Sequence, residues 1–393
     1  MIEWTEPATG MSHQARWRSE NGSAAPKRVQ LVDDALTADA AFSLASEGTA
    51  MLWQGDFQNA RQLLQALARR TERKPRSASK KAREQNAKAA QRAEAPPSQV
   101  FHLHRQAQAQ RARTLGMVLV PVNGDYSVPL RRAPDFTAAC TEAWGPADGF
   151  TSVVSLRELL GLVGAHEWRK KGVEIPALGE PPLNRIHPHY GVFSPVRGEY
   201  VDLVAMVPLP AGTKTGVAFD IGVGTGVLSA VLSRRGVARV IATDQDPRAL
   251  ACARENLERL QLPNPVEVIE ADLFPPGRAA LAVCNPPWLP ARAATPIEHA
   301  IYDEDSRMLR GFLSGLAGHL APDGEGWLIM SDFAEHLGLR TREQLLGWIA
   351  DAKLRVIERH DIRPRHGKAQ DSADPLAAAR AAEVTSLWRL VHN

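Results

Sequence analysis

Cysteine is scarce in this chain: Cys140, Cys252 and Cys284 are spread over 393 positions, with no Cys-x-x-Cys pair and no matching His cluster. So few thiols argue against a disulfide scaffold, and their spacing argues against a zinc site, so they are expected to be reduced, structural residues of a cytoplasmic protein. No apolar run approaches the length of a membrane helix, and the start, Met-Ile-Glu-Trp-Thr-Glu, lacks the basic-then-apolar pattern of a secretory signal. No membrane partner and no metal ligands are expected. Aromatic residues make up 6% of the chain and charged residues 23%, against 44% hydrophobic. That balance excludes wholesale disorder and fibrous classes and leaves a globular chain long enough for two domains.

What charge there is, is unevenly placed. From Arg61 to Arg113 there are fourteen Lys or Arg against Glu72, Glu84 and Glu94, so this window carries +11 and the rest of a chain of net charge +3 carries −8. A basic arm on a mildly acidic body is the expected arrangement, with the arm either a solvated linker or a contact to the phosphate backbone of RNA.

The pattern along the chain divides it into five stretches. Residues 1–40 are polar and without a sustained period, and are expected to be loose. Residues 41–70 read as a helical segment, a pair broken near Gly55. Residues 71–114 are too poor in apolar side chains to bury a face and read as the basic flexible linker or arm. Residues 115–185 read as a small α+β region that recognises substrate, with a hairpin turning at Asn123-Gly124 and a capping box, Ser155-Leu-Arg-Glu158, opening a helix. From 186 to 393, strands alternate with helices, which predicts an α/β domain with a mostly parallel sheet covered on both faces. The last two strands, near 354–359 and 384–391, lack a helical crossover and are expected to pair antiparallel. The polar insert 363–380 between them reads as a loop or lid.

Two motifs in this last stretch carry chemistry. Asp220-Ile-Gly222-Val-Gly224-Thr225-Gly226 follows an apolar strand and opens a helix, the setting in which glycines allow a tight turn and close approach of backbone to a ligand. A dinucleotide fingerprint would place its third glycine one residue later, where Val227 stands. Asp220, so close to the turn, disfavours a pyrophosphate and suits a cationic ligand bearing an amino acid, such as S-adenosylmethionine. The second motif is Asn285-Pro286-Pro287-Trp288 after an apolar strand. Two prolines stiffen the loop and leave the Asn285 side chain and the Pro286 carbonyl as a pair of acceptors for an NH2 group, with Trp288 able to stack on the planar group that carries it.

In these residues the sequence resembles the class I S-adenosylmethionine-dependent methyltransferases of the methyltransferase small domain group. The Asn-Pro-Pro-aromatic motif is similar to that of glutamine N5-methyltransferases and rRNA N-methyltransferases. The resemblance covers about residues 185–393. It implies a Rossmann-like seven-stranded sheet, S-adenosylmethionine as cofactor, and catalysis by the loop Asn285, Pro286, Pro287 and Trp288. It further implies that Asp244 accepts hydrogen bonds from the ribose, that Asp272 lies near the adenine amine with Leu273 or Phe274 beside the ring, and that Phe193, in Gly191-Val-Phe-Ser-Pro195, flanks the cofactor. Asn285 borders both cofactor and acceptor. Trp288 departs from the Tyr or Phe of the group. The implied function is N-methylation of a planar nitrogen, either a glutamine amide of a translation protein or an exocyclic amine of an RNA base. Two further readings stand beside it: a nucleic-acid-binding protein with a non-catalytic methyltransferase fold, and a nicotinamide oxidoreductase, which Val227 disfavours.

Overall fold

A computed structural model describes residues 1–72, 95–364 and 374–393. The chain forms two compact units, Met1–Glu167 and Trp168–Asn393.

The first unit is built on strands β1 (Ile2–Thr5), β2 (Ser12–Arg18), β3 (Arg28–Val32), β4 (Thr49–Trp53), β5 (Val118–Val122) and β6 (Ser152–Ser155). They form one six-stranded sheet in the order β1-β2-β6-β5-β4-β3. Helices α1 (Ala38–Ser46), α2 (Phe57–Glu72), α3 (Pro97–Leu115), α4 (Thr137–Trp144) and α5 (Leu156–Lys171) accompany it.

This corrects several expectations. Residues 1–40 are not loose, since they supply β1, β2 and β3. They escape a sequence reading because β2, Ser-His-Gln-Ala-Arg-Trp-Arg, buries only Ala15 and so shows no alternation. Residues 41–70 are not a helical pair: β4 lies between α1 and α2, and its run Ala50-Met-Leu-Trp53, all buried, has the composition of a buried helix segment as much as of a strand. The hairpin at Asn123-Gly124 does not form. The Asn123 N–H donates to the Ser127 carbonyl (2.8 Å), closing a local turn, and β5 pairs instead with β4 in parallel and β6 in antiparallel. Pro129 could not donate to a ladder in the returning strand. The capping box is also absent. The Glu158 carboxylate accepts the Glu20 N–H and, at 3.5 Å, the Ser19 hydroxyl, while Ser155 Oγ is buried without a partner. Within the stretch expected to be a linker, Pro97–Leu115 is a helix, while 73–94 lie outside the described residues. The two compact units part at Glu167, within α5.

The second unit carries the short pair β7 (Val173–Glu174) and β8 (Arg185–Ile186), then helix α6 (Glu199–Met206) and the main sheet. Its elements run β9 (Val217–Ile221), α7 (Val227–Arg234), β10 (Arg239–Asp244), α8 (Pro247–Arg259), β11 (Val266–Glu270), β12 (Ala279–Cys284), α9 (Arg307–His319) and β13 (Leu320–Ser331). There follow α10 (Phe333–His336), α11 (Arg342–Asp351), β14 (Leu354–Ile362), α12 (Ala377–Ala382) and β15 (Thr385–His392). The sheet has seven strands in the order β11-β10-β9-β12-β13-β15-β14. It is parallel from β11 through β13, and β15 is antiparallel to both its neighbours. This is the mostly parallel sheet that the alternation of strands and helices predicts, with the seven Rossmann-like strands that the resemblance implies.

Alternate residues of the central strands face opposite ways. Ala218, Val283 and Trp327 join the core under α6, α7 and α8, whereas Phe219, Ala282 and Leu328 join the core under α9 and α11. Both faces are covered, as a parallel sheet requires. The strand order reverses beside β9, with β10 on one side and β12 on the other, so a crevice opens at the carboxyl ends of these three strands.

Candidate functional site

The carboxyl end of β9 leads straight into the glycine turn, and each glycine there meets a different neighbour. Gly222 (φ +81°) faces Met308 of α9, and a Cβ added there would lie 2.6 Å from the methionine methyl. Gly226 (φ +84°) begins α7 and packs on Leu257 and Ala253 of α8. Gly224 (φ +50°) faces open space, with no atom within 4 Å of an added Cβ. Two glycines thus let helices approach, and the third leaves the backbone bare toward the crevice, which suits a ligand lying across the turn.

Acidic side chains surround this opening. Asp244, at the end of β10, accepts hydrogen bonds from the Gly224 N–H (3.1 Å) and the Asp246 N–H (3.0 Å), which ties the turn to the neighbouring strand. Burial raises its pKa above the ordinary carboxylate value. Asp246 in turn caps α8 through the Arg248 N–H. Asp220 is 1% exposed and accepts the Ser229 hydroxyl at 2.6 Å. Burial pushes it up to about 7, against the lowering effect of the Ser229 hydrogen bonds. A carboxyl this costly to ionise in a dry setting is relieved by an approaching cation. Asp272 is more open and is shared between Gln245 (2.6 Å) and Arg307 (2.7 Å). Leu273 follows it with φ +71°, its carbonyl accepting the Thr243 hydroxyl and its side chain against Gly311. Phe274 is turned away, stacked on Phe312 and on His319, and so takes no place beside a cofactor ring.

Thr225 is buried, and its carbonyl accepts from Asn256, a residue that no sequence pattern singles out. Asn256 is fully buried on α8 and also binds the His187 backbone, accepting its N–H (2.8 Å) and donating to its carbonyl (3.2 Å). One amide therefore ties the segment leading to Phe193 to the glycine turn. The same segment is held by the Trp168 indole N–H on Ser194 Oγ (2.9 Å) and by Arg248 over the Tyr190 ring. Phe193 itself is half-buried in this segment.

The loop Asn285–Trp288 leaves β12, the strand next to β9. Pro286 is buried, and Asn285, Pro287 and Trp288 are half-buried. The Trp288 indole N–H donates to Asn285 Oδ1 at 3.0 Å. An indole only donates, so it orients the Asn285 carboxamide with the oxygen toward the tryptophan and leaves one lone pair of that oxygen free. The tryptophan therefore does more than offer a stacking face. Beyond it, Leu289 pairs with the returning segment: its N–H donates to Ile301 and its carbonyl accepts from Asp303 (2.8 Å). Asp303 is buried and holds the start of α9 by accepting the Met308 and Leu309 N–H groups. Asp305 and Ser306 between them both have positive φ.

The three cysteines are free and buried, and among the described residues no group of three or more His, Cys, Asp or Glu is placed to hold a metal ion. Among the same residues, no helix is long and apolar enough to cross a membrane.

With this geometry in view, the chain can be set beside known proteins. Residues 184–339 match the family model of the methyltransferase small domain. A ribosomal protein L11 methyltransferase of Pelotomaculum thermopropionicum is 40% identical over 72 residues, 18% of this chain and 23% of that protein. A release factor glutamine methyltransferase of Moorella thermoacetica is 30% identical over 149 residues, 32% of this chain and 53% of that protein. A tRNA1(Val) (adenine(37)-N6)-methyltransferase of Shewanella loihica is 29% identical over 187 residues, 44% of this chain and 72% of that protein. The chain thus spans about a quarter and about half of the length of the first two relatives.

Two outcomes follow from the geometry. Gly224→Ala should leave the protein folded, at a strain of about 1 kcal/mol for a non-glycine residue at positive φ, while its methyl group enters the crevice and weakens binding of an adenosyl ligand at least tenfold by calorimetry. An unchanged affinity would move the ligand off this turn. Asp220, with its folded value raised toward 7 from an ordinary carboxylate value, costs ligand-free stability as pH rises from about 4 to 7, because the folded state holds a proton that the unfolded state has released. Asp220→Asn should flatten that decline in thermal melts, and a slope identical to wild type would show that Asp220 does not carry it.

Proposed function

We propose that the stretch 184–339, which matches the family model of the methyltransferase small domain, binds S-adenosylmethionine, and that the chain is an N-methyltransferase acting on a planar nitrogen. The observation that carries this reading is the convergence of three strand ends. The bare Gly224 backbone, the Asp244 carboxylate and the Asn285 loop emerge side by side from β9, β10 and β12. Donor and acceptor groups held there would be neighbours.

In this reading Asp244 accepts the ribose hydroxyls through lone pairs that its two backbone hydrogen bonds leave free. Asp272 and Leu273 border the adenine, Phe193 covers the cofactor from the segment that Asn256 anchors, and the raised carboxyl of Asp220 favours the positive charge of the ligand. S-adenosylmethionine supplies an electrophilic methyl group on a sulfonium. The remaining chemistry belongs to the chain. Asn285 Oδ1 and the Pro286 carbonyl accept the hydrogens of the attacking nitrogen, whose lone pair is delocalised in the free acceptor. As that nitrogen pyramidalises and gains positive charge, the two acceptors hold it more strongly than in the ground state, which lowers the barrier. As the nitrogen–carbon bond forms and the sulfonium's carbon–sulfur bond breaks, the methylated nitrogen becomes acidic and releases its proton to water. Trp288 keeps the Asn285 oxygen in the orientation that this requires and offers its ring face to the planar acceptor. Pro287 limits the motion of the loop.

The relatives include enzymes named for a release-factor glutamine and for a tRNA adenine, and either acceptor fits two convergent carbonyl groups. An RNA or a ribosome-associated protein in the cytoplasm is the partner in this reading, with the basic stretch 61–113 as an RNA contact.

Asn285→Ala should bind S-adenosylmethionine as wild type does, yet lower kcat about a hundredfold or more, the size of losing one oriented group at roughly 3 kcal/mol. Wild-type turnover in that variant would remove the loop from the chemistry. Incubation with labelled S-adenosylmethionine and an extract from cells lacking the protein, separated into RNA, DNA and protein, should place label in one of these fractions. No label in any would leave a non-catalytic fold.

A further inference from the structure

Arg340 follows α10, in the connection from the end of β13 to α11. Its backbone N–H bonds the Ala334 carbonyl, and the connection follows β13, the sheet neighbour of the strand β12 that leads into the Asn285 loop. The residue is 3% exposed, and its Nε and Nη2 are buried without a hydrogen-bond partner. The acids that act on it electrostatically are Glu335 and Asp303, and both are committed elsewhere. Glu335 binds Arg342 Nε through its two oxygens (2.8 and 2.9 Å), and Asp303 caps α9 with both of its own. Asp303 is also the residue whose N–H holds Leu289, next to Trp288, so the guanidinium lies by the segment that lines the acceptor loop.

A guanidinium does not shed its charge at neutral pH, and burying it with two of its nitrogens unsatisfied is costly to a fold. Its planar donors match the oxygens of a phosphate. The two acceptors that fit Asn285 differ in this respect: a glutamine amide brings no anion of its own, whereas a base within a nucleic acid always brings phosphodiesters on either side. The +11 window points the same way.

We propose that Arg340 is an anion-binding residue of the acceptor site, receiving a backbone phosphate of the nucleotide whose exocyclic amine lies at Asn285. The proposal rests on the reading of Asn285 as the acceptor clamp, and it makes the substrate a nucleic acid. Arg340 is a specificity-determining residue and leaves binding of the methyl donor unaffected.

The test uses full-length protein with S-adenosylhomocysteine and a pool of random-sequence RNA pentamers carrying a fluorophore, read by anisotropy across a salt series. Arg340→Gln should weaken binding at least tenfold and lower the slope of log affinity against log salt by about 0.7, the release of one phosphate contact on a single strand. Arg340→Lys should recover part of both, and calorimetric affinity for S-adenosylhomocysteine should be unchanged in each variant. A second measurement separates this from a structural role. Removing a buried cation with unsatisfied donors should raise the Tm of the ligand-free protein in Arg340→Met, whereas a cation holding the fold together would lower it. Equal pentamer affinity and slope in Arg340→Gln, or a lowered Tm in Arg340→Met, would overturn the proposal. So would labelled methyl transfer into protein that Arg340→Gln reduces while transfer into RNA is untouched. Neither binding nor Tm depends on turnover, so a wrong assignment of the reaction would show in the Asn285→Ala kinetics instead.

Discussion

Ile221 stands opposite Thr243 on one side and Cys284 on the other. That double registration of β9, at the point where the strand order reverses, is the constraint on which the site depends. It sets the ends of β9, β10 and β12 level, so that the glycine turn, Asp244 and Asn285 leave the sheet together. A slip of one residue in either pairing would carry Asp244 or Asn285 to the opposite face of the sheet. The register is held from both sides: Ala218 and Phe219 are buried in separate cores, and the Gly224 N–H on Asp244 then locks the turn to the neighbouring strand.

The electrostatics of the edge follow from the same burial. Asp220 and Asp244 are both held in surroundings that resist their ionisation, which prepares one end of the crevice for positive charge. Arg340, in the connection that follows the neighbouring strand β13, is a buried cation whose Nε and Nη2 lack a hydrogen-bond partner. In the proposed reading the crevice has an end that suits a cationic ligand and an end that suits an anionic one, with the acceptors of the Asn285 loop between them. Such a gradient is costly to a ligand-free protein and is offset when both ligands are present.

Much of this edge was legible in the sequence because local chemistry writes it there. Glycines in a strand-to-helix turn, an acid at the end of the next strand and two prolines after a buried strand each have a short-range reason, and α7 spans Val227–Arg234 as its pattern predicts. What failed was long-range. β2 is held in the sheet by β6, far along the chain, and carries no period of its own. Glu158 has the spacing of a capping residue but serves the backbone at Glu20, and Asn123-Gly124 turns without returning as a strand because β6 fills the place of the second arm. Asn256 sits in an ordinary amphipathic helix, and only the fold reveals that it joins two segments. Trp288 was visible as a stacking plate, whereas its indole hydrogen bond to Asn285 required the loop conformation.

The central claim is that the crevice over β9, β10 and β12 receives an adenosyl ligand whose ribose is held by Asp244. Calorimetric titration of the purified protein and of Asp244→Ala with S-adenosylmethionine, with NADH titrated in parallel, tests it most directly. The predicted result is one S-adenosylmethionine per chain, at least tenfold weaker in the variant, and no heat from NADH. Equal affinity in the two proteins, or binding of NADH in place of S-adenosylmethionine, would contradict it.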